Sequence, residues 1–253
     1  MLSRYFAACL CWLMLISGGC ARFVTLEPID SETVQIYAAQ LVTAGACPLT
    51  YRVYQPTAVD SRGLVILGHG FLRSQDQMVG LATVLAASGV RVATLDYCHS
   101  RLWRGGHVQN GLDMVRLARE LTADTVVYAG FSAGGLAALI AADHDPQAVG
   151  VLTLDLVDSQ DLGRQAAQRL QVPLIGLTGE PTNCNAYGNG EPIFAIARQA
   201  QLTKIDGAGH CIFETPTDSL CEFLCTQPEP TQRANQQAAM LAKAVAALSQ
   251  FQF

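Results

Sequence analysis

The feature that most constrains this chain is an alternation of short, continuously apolar runs with stretches of helical spacing. The runs Leu49–Tyr54, Leu64–Leu67, Val90–Leu95, Thr125–Ala129, Val149–Leu154, Leu174–Leu177 and Leu202–Ile205 read as strands, with a weaker one at Val34–Ala38. Between the later ones, Gln77–Ala87, Gly111–Leu121, Ala133–Ala142, Asp161–Leu170 and Ile193–Ala200 read as helices. A strand that is apolar at every position must be covered on both faces, and alternating helices supply that cover. The expected fold class is therefore α/β, with a mostly parallel central sheet and helices on both faces. The early strands, joined by short polar turns, form an antiparallel entry to it. Met240, Leu241, Ala244, Val245 and Leu248 recur at helical spacing and predict a last helix against the sheet. No internal repeat or low-complexity linker interrupts residues 30–253. A length of 253 residues, half of them hydrophobic, suits a single large domain.

The N-terminus follows different rules. Arg4 precedes an apolar run from Phe6 to Ile16, and Ser17-Gly18-Gly19-Cys20 follows. That is the anatomy of a secretory signal, and the run is short for a transmembrane helix of about 20 residues. Residues 1–19 are thus expected to be a signal peptide, leaving a single domain at 20–253. Cysteine directly after small residues resembles a bacterial lipoprotein cleavage box, which makes Cys20 the lipidation candidate; ordinary cleavage nearby is the alternative. Both imply export, to the cell envelope or beyond, with membrane attachment only through that N-terminal anchor. Six further cysteines, at 47, 98, 184, 211, 221 and 225, fit an oxidising compartment and disulfides, although six allow 15 pairings. There is no Cys-x-x-Cys metal spacing. Sixteen Lys plus Arg stand against 21 Asp plus Glu, and the two lysines, Lys204 and Lys243, are far apart, which argues against a nucleic-acid partner.

Open α/β sheets bind ligands beyond the carboxyl ends of their strands. After Thr125–Ala129 comes Gly130-Phe131-Ser132-Ala133-Gly134, followed by an Ala/Leu-rich helix. Small residues around Ser132 let the chain turn sharply from strand to helix, which lifts the hydroxyl above the sheet as a nucleophile. After Leu64–Leu67 comes Gly68-His69-Gly70-Phe71, where a loop amide is placed to meet developing negative charge. The backbone N–H groups of Phe71 and Ala133 are the expected oxyanion donors, and His69 is read as a supporting hydrogen-bond residue. The general base is expected after the last strand, where Gly207-Ala208-Gly209-His210 stands. His107 and His144 read as solvated residues, while His99 borders the pocket in this reading.

The acid that orients the histidine has two sources. Val149–Leu154 ends directly in Asp155, with Asp158 three residues on; the segment after Leu174–Leu177 contains only Glu180. Asp155 is preferred, Glu180 is the alternative and Asp158 comes third; Asp96 is read as structural.

Together the elbow at Ser132, the Gly68–Phe71 loop, Leu154-Asp155 and His210 resemble the α/β-hydrolase superfamily, in particular its chlorophyllase and platelet-activating-factor acetylhydrolase branch. That branch places its acid on the strand after the nucleophile's strand. The chain is also similar to cutinase-like polyester hydrolases, whose aromatic residue after the oxyanion glycine corresponds to Phe71. Those enzymes tie the loop near the base with a disulfide, which implies a Cys184–Cys211 pair here, but their acid lies later, where this chain has only Glu180. The resemblance covers roughly residues 48–215. It implies a Ser132-Asp155-His210 triad acting through an acyl-enzyme on a small-molecule or lipid-like ester, with no metal or organic cofactor. Amide or peptide hydrolysis on the same fold, or a non-catalytic exported binding protein, are the rival readings. One helix between Leu154 and Pro173 leaves no room for a large cap domain. Phe71, Trp103, Phe131 and Tyr187 are the candidates for apolar walls.

Overall fold

The structure is a computed structural model and describes residues 20–23, 33–42, 47–58, 63–98, 105–227 and 229–253. The expected signal segment, His99 and Trp103 lie outside the described residues, and of Cys20 only the backbone is described. Nine strands form one sheet: β1 (Cys20–Phe23), β2 (Val34–Val42), β3 (Leu49–Pro56), β4 (Gly63–Gly68), β5 (Arg91–Leu95), β6 (Thr125–Phe131), β7 (Ala148–Leu154), β8 (Leu174–Thr178) and β9 (Ala200–Lys204). Their spatial order is β1-β2-β3-β5-β4-β6-β7-β8-β9. The entry from β1 through β3 to β5 is antiparallel, and every pairing from β5 across to β9 is parallel. The mostly parallel sheet is the one the alternation predicts, and its arrangement is the α/β-hydrolase fold that the resemblance implied.

The central strands show why their sequences are apolar throughout. Leu64 and Ile66 of β4 join one core layer while Val65 and Leu67 join the other. Val126 and Tyr128 of β6 divide from Val127 and Ala129 in the same way, so the period-2 alternation of the strand feeds two cores at once. Helices α2 (His107–Glu120), α3 (Ala133–His144) and α4 (Leu162–Arg169) cover the first face through residues such as Met114, Leu139 and Ala166. The second face is covered by α1 (Val79–Ala87) and α6 (Pro230–Leu248), through Leu81, Leu85, Met240 and Ala244. Between β7 and β8 there is only α4, so no cap domain is inserted there.

Three local expectations change. The helix read at Ile193–Ala200 is a single 3₁₀ turn, Glu191–Ala195, because the chain must already be extended at Ala200 to pair with Leu174 of β8. The last helix starts at Pro230, ten residues before its apolar stripe; proline suits a first helical turn, where no N–H is required. A six-residue helix, α5 (Ser219–Leu224), was not anticipated; Asp218 caps it by accepting from the Cys221 amide at 3.0 Å.

The disulfide pairing is also corrected. Cys184 is bonded to Cys225 and Cys211 to Cys221, rather than Cys184 to Cys211, while Cys47 is bonded to Cys98. The reason is α5, which brings Cys221 and Cys225 back over the loops that carry Cys211 and Cys184. The sulfurs of Cys211, Cys221 and Cys225 lie within 4.8 Å of one another. Each is spent in a disulfide, whereas metal ligation needs a thiolate. Among the described residues, no helix is long and apolar enough to cross a membrane. Three disulfides are consistent with an oxidising compartment.

Candidate active site

Ser132 sits between β6 and α3 with φ 55° and ψ −121°, a conformation that a non-glycine residue holds only when its surroundings enforce it. The enforcement is visible. The Ser132 amide donates to the Leu154 carbonyl at 2.8 Å, and its carbonyl accepts from the Gly135 amide at 3.0 Å. A Cβ on Gly134 would stand 2.5 Å from the carbonyl oxygens of Gly68 and His69, so glycine lets α3 press against the loop after β4. As the first residue of α3, Ala133 has an amide with no carbonyl a turn earlier in the helix to satisfy it.

From the turn after β9, His210 reaches over the sheet and opens the 3₁₀ segment His210–Phe213. Its Nε2 lies 3.1 Å from Ser132 Oγ, and its Nδ1 lies 2.5 Å from Asp155 Oδ2. With the proton on Nδ1, the ring donates to Asp155 and leaves Nε2 free to accept the serine O–H. The Phe131 ring packs against the imidazole, centroids 4.6 Å apart. All three polar side chains are buried to more than nine-tenths.

Asp155 follows β7 with φ 46°. Its Oδ1 accepts from the Gly179 amide at 2.9 Å and the Thr178 hydroxyl at 3.1 Å, and Asn185 Nδ2 reaches both carboxylate oxygens at 3.3 and 3.2 Å. Buried carboxylates are tolerated only with such donors. Glu180, by contrast, faces solvent: one oxygen pairs with Lys204 Nζ at 2.5 Å and the other accepts from the Gly207 amide at 2.9 Å. The Lys204 bond, with that amide, holds its carboxyl below the usual range. Glu180, the alternative acid of the sequence reading, is thus engaged by Lys204 and the Gly207 amide, while His210 meets Asp155. Asp158 is also committed, accepting from the amides of Ser159 and Gly163 at 2.8 Å each. Asp96 accepts from the Gln75 amide at 2.8 Å and the Thr50 hydroxyl at 3.0 Å, a structural role.

His69 is buried, its Nδ1 2.8 Å from the Gly70 carbonyl and its ring 4.5 Å from that of Tyr97. Desolvation lowers its pKa, and its Nδ1–H donates to that carbonyl. His107 is half-buried rather than solvated, and with Phe71 and Ala133 it borders a small pocket of about 10 Å³. His144 is exposed.

A cleft of about 190 Å³ opens over Ser132 and His210. Phe71 and Leu72 from the loop after β4, Phe131, and Leu220 and Leu224 of α5 give it apolar walls; Tyr187 points to solvent instead. Arg73 also lines the cleft, but its guanidinium is bound bidentately by buried Glu214, at 2.8 and 2.5 Å, and by Asp218 at 3.0 Å. This ion cluster ties the loop carrying Phe71 to the segment carrying His210 and α5. Asn185 and the two α5 leucines are the residues that sequence reasoning missed. A neutral amide carries no acid–base signal; Asp218 before a Cys221/Cys225 i,i+4 pair was the available hint of α5.

No family model and no curated protein matches this chain. Solved structures do share its fold. A dienelactone hydrolase from Anabaena variabilis is 20% identical, with a TM-score of 0.64, over 87% of this chain and 100% of that one. A cold-adapted esterase from an Arctic intertidal metagenomic library is 15% identical at TM-score 0.59, covering 72% of this chain and 88% of its own. An acetyl xylan esterase from Paenibacillus sp. R4 is 14% identical at TM-score 0.58, covering 73% and 82%.

Proposed function

We propose that this chain is a serine hydrolase that cleaves carboxylic esters, with Ser132 as nucleophile, His210 as base and Asp155 as orienting acid. The observation that carries the reading is the unbroken sequence of contacts from Ser132 Oγ through both nitrogens of His210 to Asp155. Fold alone does not name a reaction, but the structural neighbours are a dienelactone hydrolase and esterases, and a serine backed by histidine and carboxylate suits ester cleavage.

In the first step Ser132 Oγ attacks the ester carbonyl as His210 Nε2 takes its proton. The tetrahedral oxyanion is held by the Phe71 and Ala133 amides. Collapse breaks the bond to the alcohol, which leaves with the proton from His210. Water, deprotonated by the same nitrogen, then attacks the acyl-enzyme, and the acid is released with Ser132 regenerated. Asp155 accepts from His210 Nδ1 throughout and steadies the imidazolium. An acid directly after the strand that follows the nucleophile's strand also fits the chlorophyllase and platelet-activating-factor acetylhydrolase pattern. In the same reading residues 20–253 are one exported catalytic domain, with Cys20 as a lipid anchor.

The test is a panel of esters of graded acyl length, assayed on the wild type and on Ser132→Ala. Turnover in the wild type should fall by at least about 10³-fold in the variant. Equal rates in the two proteins would remove Ser132 from the mechanism.

A further inference from the structure

Two disulfides converge on α5 from the residues beside the reacting groups. Cys211 directly follows His210, and Cys184 directly precedes Asn185, the residue that holds Asp155. Their partners, Cys221 and Cys225, are an α5 residue and its C-cap. Asp218, the N-cap of α5, is in turn bound to Arg73. A helix of under two turns does not hold itself in water, so this one is held by covalent and ionic ties to the site. Among the described residues it is nevertheless apolar on a half-exposed face. Leu220 and Leu224 are 49% and 53% exposed, and both line the cleft over Ser132. At i and i+4 they share one helix face.

From this arrangement we propose that α5 is a fixed specificity wall, and that Leu220 and Leu224 bind one uncharged apolar arm of the ester. The inference rests on the ester-hydrolase reading above and names its substrate class. Three observations fix the occupant's chemistry. The cleft is continuous with Ser132 and His210, so whatever lies along α5 is joined to the reacting carbonyl. Its volume of about 190 Å³ far exceeds the roughly 10–15 Å³ that admits a single water, so it takes an arm of several carbons. Among the described residues that line it, Arg73 is the only Lys or Arg side chain, and Glu214 and Asp218 occupy its guanidinium. Among those described residues an anionic arm would meet no free Lys or Arg, and burying it would be costly.

The experiment compares kcat/KM for a long and a short ester in two series: p-nitrophenyl octanoate against acetate, and octyl against ethyl acetate. The first varies the acyl arm and the second the alcohol arm. It is run on the oxidised wild type, on Leu220→Ser/Leu224→Ser, and on Phe223→Ser. Phe223 is the matched control: it lies on the same helix, is 85% exposed and does not line the cleft. The double variant is expected to lower the long-to-short ratio by about tenfold or more in one series, from lost apolar contact. Activity on the short esters should persist, and Phe223→Ser should keep both ratios within about twofold of wild type. Unchanged ratios in the double variant would overturn the wall, as would an equal fall in Phe223→Ser, which would indicate general adsorption. Wild-type turnover abolished by Ser132→Ala establishes the ester reading independently of these ratios. A wild type inert to every ester overturns that reading and this proposal with it.

Discussion

The ends of β7 and β8 lie side by side on the same edge of the sheet, and each is followed by a carboxylate. After β7, Asp155 is 1% exposed, accepts from three donors (the Thr178 hydroxyl, the Gly179 amide and Asn185 Nδ2), and meets His210 at 2.5 Å. Glu180, after β8, is wet and paired with Lys204. A strand-end position alone therefore does not bring a carboxylate to His210. What distinguishes Asp155 is a dry environment in which Thr178, Gly179 and Asn185 donate to its oxygens while Oδ2 also meets the imidazole. The β8 end still contributes, because it supplies three of those donors through Thr178, Gly179 and Asn185.

Asp155→Asn should reduce kcat by about 10⁴-fold, the scale of losing the acid in a comparable serine triad, while Glu180→Gln stays within about twofold. Steady-state kinetics on one ester checks both, and the opposite ranking would break the contrast. The mechanical share of the β8 loop is next. Cys184→Ser/Cys225→Ser opens a loop with a sequence separation of 41 and should lower stability by about 3 kcal/mol in denaturant unfolding. Asn185→Leu removes one donor shared by both Asp155 oxygens and should lower kcat by about tenfold with KM little changed. An unchanged kcat would leave Thr178 and Gly179 sufficient for positioning.

Glu180 sets the smallest effect. Its folded pKa lies below its ordinary value of about 4.3. The stability it contributes is therefore present above that ordinary value and lost as pH falls through the lowered one. Because both partners are exposed, solvent screens most of it. Wild type and Glu180→Gln should show a small difference in unfolding midpoint at pH 7 and none at pH 2.

Much of this arrangement was legible in the chain because it depends on local chemistry. Apolar strands feeding two cores, glycines around Ser132, and the order Ser132, Asp155, His210 are all local or ordinal signals. Other features depended on what meets what in space. Glu180 and Asp155 both stand at strand ends, and what separates them is spatial: burial among Thr178, Gly179, Asn185 and His210 for Asp155, and exposure beside Lys204 for Glu180. Six residues of α5 give less than two turns of periodicity, so the helix left no pattern. Without it, the return of Cys225 to Cys184 had no basis, and the pair Cys184–Cys211 followed from resemblance alone. Asn185 escaped because its role comes from geometry and not from charge.

The central claim is that Ser132 is a nucleophile activated by His210. A fluorophosphonate probe, followed by intact mass and peptide mapping, addresses it most directly. The account predicts one adduct per chain, located on Ser132, formed in step with loss of ester turnover and strongly slowed in His210→Ala. Folded protein that takes no label, or takes it on another residue while ester turnover disappears, would contradict it.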